Sequence, residues 1–130
     1  MKKYFGIFLM SLLQFSAFAQ ENKANVLSCK DAHEGNFDIF YNNMKISVKR
    51  DADFQYEYVG ANYIKYKITW LSDCQYRLVV VETDIEQAKE YMGESCTTTI
   101  TGLEDDKFKY TCVYEKEHKT LNGYMKKVKD

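Results

Sequence analysis

Apolar and polar residues alternate along most of the chain beyond Gly35, the two-residue period of strands that bury one face. Phe37, Ile39 and Tyr41 alternate, Asn42-Asn43 intervenes, and Ile46 and Val48 resume the pattern. Asparagine tolerates positive φ, so Asn42-Asn43 suits a two-residue hairpin turn that sets Ile39 opposite Ile46 and Phe37 opposite Val48. Phe54, Tyr56 and Tyr58 make the next strand, and a turn about Gly60-Ala61-Asn62 leads to Ile64, Tyr66, Ile68 and Trp70. Leu71-Ser72-Asp73 then turns the chain into Cys74, Tyr76, Leu78 and Val80. These turns set Phe54 opposite Ile68, Tyr56 opposite Tyr66 and Trp70 opposite Cys74. One apolar face then crosses the strands, with Gln55, Glu57, Lys65, Lys67, Gln75 and Arg77 on the other. A slip of one residue would exchange the two faces.

The alternation breaks over residues 84–93. Asp84 is suited to cap a short helix there and Gly93 to end it in a left-handed conformation. Strands resume with Cys96, Thr98 and Ile100 and, after Gly102-Leu103-Glu104-Asp105-Asp106, with Phe108, Tyr110, Cys112 and Tyr114; residues 120–128 are a further candidate. The expected fold is all-β with one short helix, an antiparallel meander of about seven or eight strands forming a curled sheet or small barrel.

The first residues follow a different rule. Met1-Lys2-Lys3 is a cationic start, an apolar run extends from Tyr4 to about Leu13, and Ala17-Phe18-Ala19 supplies small-x-small. That order is a secretory signal peptide, with cleavage expected after Ala19. The run is shorter than the ~20 residues of a bilayer span, and Gln20 stands where a lipid anchor needs cysteine. The expected organisation is a signal peptide over 1–19 and a single exported β domain over 20–130, periplasmic or secreted. Lys2 and Lys3 leave with the signal, so 16 of the 18 Lys and Arg remain against all 19 Asp and Glu, a net charge of −3. Charges of both signs are interspersed, and no basic face exists to neutralise nucleic-acid phosphates.

All four cysteines, Cys29, Cys74, Cys96 and Cys112, lie in the exported part. An even count in an oxidising compartment reads as disulfides, and four cysteines allow three connectivities. The hairpin with its turn near Glu104 sets Cys96 opposite Cys112, within reach of a bridge. Cys29 is then left to pair with Cys74.

Ten of the eleven tyrosines are in the mature chain. Tyr56, Tyr58, Tyr66, Tyr76 and Tyr110, with Trp70, make the candidate ligand face. Two readings apply: a core filled by large strand-forming residues, which has the stronger claim, or a cavity lined by rings whose hydroxyls orient a ligand. Catalytic, metal and cofactor motifs do not emerge. Asp31-Ala32-His33-Glu34 reads as a polar loop, and Glu104-Asp105-Asp106 as a hairpin turn without calcium-ligand spacing. No nucleophile elbow, His-x-x-x-His pair or glycine-rich phosphate loop is present.

Trp70-Leu71-Ser72-Asp73-Cys74, followed by Tyr76 and Leu78, resembles a motif of small exported proteins of flavobacteria and relatives. So do Cys29 with Gly35-Asn36-Phe37, and Tyr110-Thr111-Cys112. The similarity spans about Cys29 to Val128 and implies an exported β protein with no assigned activity and no catalytic residues. Cys96 lies outside that pattern, which stands against the pairing of Cys96 with Cys112. The functional expectation is a non-enzymatic exported protein that binds a small ligand or a partner protein. The rival is a hydrolase of envelope or extracellular polymers, which would show two carboxylates in a cleft, or His33 or His118 beside one.

Overall fold

Asn42 and Asn43 both take positive φ, 47° and 62°, and the tight turn they make sets the first hairpin in the expected register. In the computed structural model, which describes residues 27–128, that hairpin joins β1 (Gly35–Tyr41) to β2 (Met44–Arg50), with Ile39 opposite Ile46 and Phe37 opposite Val48. The expected signal over 1–19 lies outside the described residues. The chain continues through β3 (Phe54–Val59), β4 (Asn62–Ser72), β5 (Gln75–Thr83), β6 (Ser95–Glu104), β7 (Lys107–Tyr114) and β8 (Thr120–Lys127). Each strand pairs antiparallel with the next, and β8 pairs back on β1 to close a barrel. Closure leaves no edge strand exposed. Eight strands enclose a space just wide enough to be filled by side chains or to hold one small ligand.

Three registers differ from expectation, each because of a turn or bulge. Gly60 and Ala61 make a two-residue turn with Val59 opposite Asn62, so Gln55 faces Tyr66 and Glu57 faces Ile64. The expected three-residue turn differs by one residue, which inverts β3. Gln55 and Glu57 therefore point inward, and Tyr56 and Tyr58, stacked with centroids 6.4 Å apart, lie on the outer surface. A bulge at Leu71 carries β4 past its expected end, setting Trp70 opposite Tyr76 and Ile68 opposite Leu78. A two-residue turn at Asp105-Asp106 and a one-residue bulge at Thr101 together move the β6–β7 pairing by two residues, so Cys96 faces Tyr114 and Cys112 faces Thr98. Bulges insert one unpaired residue and sharpen strand curvature, as a small closed barrel needs.

The two ends of the barrel differ. At one end the chain before β1 folds inward through a 3₁₀ turn, Cys29–Ala32. Cys29 is disulfide-bonded to Cys74 in the β4–β5 turn, with Cα atoms 5.1 Å apart, and this expected bridge staples the plug to the barrel. His33 stacks on Trp70 with centroids 3.5 Å apart, its Nε2 2.9 Å from the Asp73 carbonyl oxygen. Lys127 Nζ donates to the Asp31 carbonyl at 3.0 Å. Beneath the plug, Phe37, Val48, Ile100, Phe108 and Met125 form a closed core with Ala32.

At the other end the β5–β6 connection holds a 3₁₀ turn, Glu86–Tyr91, where a capped helix was expected. Asp84 is not its cap: Ile85 is, and the Asp84 carboxylate instead accepts the Tyr63 N–H at 2.8 Å, tying the loop to β4. None of this turn's residues is buried. Among the described residues no helix is long and apolar enough to cross a membrane. A disulfide-bonded β fold of this kind fits an extracellular location.

Candidate functional site

The phase of β2 determines what lies inside. Ile46, Val48 and Arg50 share its inward face, so Arg50, 2 % exposed, enters the barrel beneath the plug. Cross-strand partners share a face, and Gln55 is paired with Arg50. The turn between them is held by Asp51, whose carboxylate accepts the Asp53 and Phe54 N–H groups at 2.9 and 2.8 Å; those backbone bonds keep its pKa below the usual value.

Arg50 uses every arm of its guanidinium. Nη1 donates to the Ala32 carbonyl at 2.6 Å, Nε to Gln55 Oε1 at 3.0 Å, and Nη2 to the same oxygen and to the Tyr76 hydroxyl at 3.2 Å. The cation also lies over the rings of Tyr76, Phe37 and Trp70, 4.6, 5.2 and 5.7 Å from their centroids. Buried charge survives only when paired or fully hydrogen-bonded, and here ring faces and oxygen acceptors share that task. The network continues toward the open end. Gln55 Nε2 donates to Glu57 Oε2 at 3.0 Å, and the Tyr66 hydroxyl donates to Glu57 Oε1 at 3.3 Å.

Glu57 borders an inner cavity of about 180 Å³, with Tyr41, Tyr66, Tyr76, Tyr110 and Tyr114 among the other walls. Water-sized space inside the barrel reaches the residue, so it counts as half-buried, yet protein surrounds it. Burial raises the Glu57 pKa above the ordinary carboxyl value, against the smaller opposing pull of the Gln55 and Tyr66 hydrogen bonds and of Arg50. Burial likewise pushes up the phenols of Tyr66, Tyr76, Tyr110 and Tyr114. An outer cavity of about 460 Å³ begins where the inner one ends. Tyr41, Tyr66, Leu78, Cys96, Tyr114 and Leu121 line both. The outer space reaches the barrel mouth at Ile85, Ala88, Tyr91 and Lys119. The interior is thus filled at the plugged end and hollow at the other, where a filled core had the stronger claim from sequence.

Of the expected ligand face, Tyr66, Tyr76 and Tyr110 meet at the inner cavity. Trp70 belongs to the floor, packed at 4.7 Å on Tyr76 and beneath His33. Tyr56 and Tyr58 face outward and leave the set. Tyr110 reaches the interior because its β8 partner is Gly123: a Cβ there would lie 2.6 Å from the Tyr110 hydroxyl. Sequence reasoning missed Glu57, Gln55 and Arg50 as interior residues. The available signal was the phase of β2, which carries Arg50 inward and the residue paired with it across the hairpin.

Cys96 and Cys112 are free, buried thiols, so the expected second disulfide is not formed. The two-residue shift in register replaces a directly opposed pair with a diagonal one, which leaves the two thiols as neighbours. Their interaction lowers the Cys112 pKa and raises that of Cys96, whose burial adds to the rise. His33 is occupied by the plug, and His118 occupies an exposed turn between β7 and β8 with φ of 54°. Glu104, Asp105 and Asp106 form the β6–β7 turn, with Glu104 and Asp106 paired to Lys109 and Lys126. Among the described residues no cluster of His, Cys, Asp and Glu is arranged to hold a metal ion. No protein-family model matches this chain, and comparison with curated proteins and with solved structures finds no match either.

Proposed function

We propose that this protein is a non-enzymatic exported binding protein that holds one small, partly apolar organic molecule inside its barrel. The observation that carries the reading is the pair of joined cavities, open at one end and closed by a stapled plug at the other. A cavity of ~150 Å³ lined by apolar side chains admits benzene, so the inner space alone, about 180 Å³, accommodates a ring-sized group. The outer space receives the rest of the molecule. Concave, largely apolar walls with a few convergent polar groups are the usual form of a small-molecule site. Export rests on the signal-like residues 1–19, on the Cys29–Cys74 staple and on the likeness to small exported flavobacterial proteins. The reaction chemistry of the hydrolase reading has no support in the inner cavity, where Glu57 is the sole carboxylate among the described lining residues.

Titration with N-phenyl-1-naphthylamine, a neutral fluorophore, tests the container. The expected result is saturable one-site binding that Leu78→Trp or Leu121→Trp weakens by roughly tenfold or more, since either indole occupies space on both cavities. Absence of binding, or equal binding by the folded tryptophan variants, overturns the proposal.

A further inference from the structure

Building on the container reading, we propose that the inner cavity selects a small organic cation, a protonated or methylated amine on an apolar body, with Glu57 as its counter-charge. The argument starts from which interior charge a ligand can reach. Arg50 is spent on Ala32, Gln55 and Tyr76 and covered by three aromatic rings. It does not line the cavity. Glu57 does. Each of its oxygens accepts one hydrogen bond, from Gln55 and from Tyr66, while a carboxylate offers about four acceptor positions. Among the described residues no lysine or arginine stands within ion-pair distance of it. The site therefore presents an ionisable, under-coordinated carboxyl group inside walls rich in tyrosine. Tyrosine rings attract cations through their negative faces, and their hydroxyl oxygens accept from N–H donors. An anion would meet Glu57 with like charge, and a neutral ligand would leave its charged form uncompensated.

The proton is the competing occupant. Burial favours the protonated acid, so a cation must displace that proton, and affinity rises with pH as Glu57 ionises. The other charged and titratable groups facing Glu57 are Arg50 from β2, Tyr66 from β4, Tyr76 from β5, Cys96 from β6, Tyr110, Cys112 and Tyr114 from β7, and Tyr41 from β1. Of these only Cys112 is shifted toward ionisation near neutrality. Cys112→Ser removes that second titration.

Calorimetric titration with 2-phenylethylamine, its neutral counterpart 2-phenylethanol and the anion 3-phenylpropionate separates the terms. Against the wild type at neutral pH the amine should bind roughly tenfold tighter than the alcohol, and the carboxylate more weakly than either. Glu57→Gln should remove the preference by weakening the amine roughly tenfold while leaving the alcohol within about twofold. In Cys112→Ser the amine affinity should climb as pH rises above the ordinary carboxyl range, and the alcohol affinity should stay level. Equal binding of amine and alcohol by the wild type, or an amine preference unchanged in Glu57→Gln, overturns the cation assignment while the container stands. The wild-type comparison does not depend on the folding of any variant. Failure of all three probes, together with failure of N-phenyl-1-naphthylamine, removes the container itself.

Discussion

Truncating one ring in each half of the barrel distinguishes a filled end from a hollow one. Phe108 is fully buried in the floor, edge-on to Phe37 with centroids 6.4 Å apart, and packs with Met125 and Ile100. Phe108→Ala removes a ring where nothing can take its place, so the loss of burial and the new void both count, ~3–5 kcal/mol by analogy with other buried aromatics. Against a domain stability of ~5–15 kcal/mol that is a large fraction. Tyr66 is half-buried and lines both cavities. Its removal joins spaces that already exist and admit water. A ring-sized void of about 100 Å³ would carry ~2.4 kcal/mol at ~24 cal/mol per Å³, and this part is absent for Tyr66→Ala, leaving ~1–2 kcal/mol. Tyr66→Phe deprives Glu57 of a hydrogen-bond donor, a cost of ~1–3 kcal/mol if the carboxyl is ionised. Urea unfolding of the disulfide-intact proteins, with m-values compared to exclude a changed denatured state, reads the difference. Equal losses for Phe108→Ala and Tyr66→Ala would refute the division of the interior.

Glu57→Gln should be more stable than the wild type near pH 7. Burial raises the native pKa of Glu57 above its ordinary value of 4.5, so stability is highest below that value and falls as pH rises toward the native one; the variant's advantage in thermal midpoint should vanish by about pH 4. Unreduced protein unfolded in guanidinium should yield two thiols to a colorimetric disulfide reagent, those of Cys96 and Cys112; none would mean that the pair is bridged. Replacing both Cys29 and Cys74 by serine opens a link spanning 45 residues and should cost ~4 kcal/mol by the chain-entropy relation, measured by urea unfolding. Gly123→Ala should destabilise by ~1–3 kcal/mol because its Cβ would meet the Tyr110 hydroxyl at 2.6 Å, and adding Tyr110→Ala should recover part of that loss in a double-mutant cycle.

How far the residues alone disclose this barrel depends on local turn chemistry. Asn42-Asn43 accepts positive φ at both positions and leaves one register open for β1 and β2. The Gly60 turn allows two parities, and apolar content selects the wrong one, because Phe54, Tyr56 and Tyr58 are more hydrophobic than Gln55 and Glu57. Hydrophobic pattern predicts which face is buried only while the interior is apolar. On β3 the interior face is polar, so the rule inverts there. Leu71 and Thr101 bulges have no marker in the sequence, since any residue can occupy such a position, and together with the turns beside them they displace the Trp70 and Cys96 pairings by two residues without exchanging faces. That is why Tyr66, Tyr76 and Tyr110 face the interior as the alternation predicts, while Cys96 and Cys112 lie diagonally rather than in direct opposition.

The β3 inversion also explains why the two ends of the barrel can differ. Were Tyr56 and Tyr58 inside, their rings would occupy the space that Gln55 and Glu57 leave partly open. With the shorter polar side chains inward, the cavity exists, and a carboxyl group is exposed to it at some cost in stability. The floor offsets that cost through its closed core and the Cys29–Cys74 staple. Arg50 joins the two regions: one arm holds the Ala32 carbonyl of the plug, and others hold Gln55, which holds Glu57. The hydrogen-bond chain from plug to cavity therefore serves both parts, orienting Gln55 and through it Glu57 from Arg50, which does not line the cavity. Stability is concentrated where the chain is stapled, and ionisable chemistry where the barrel is open. Such a division is what the proposed cation site asks of a small domain, because an ionisable carboxyl inside the barrel lowers the stability of the fold.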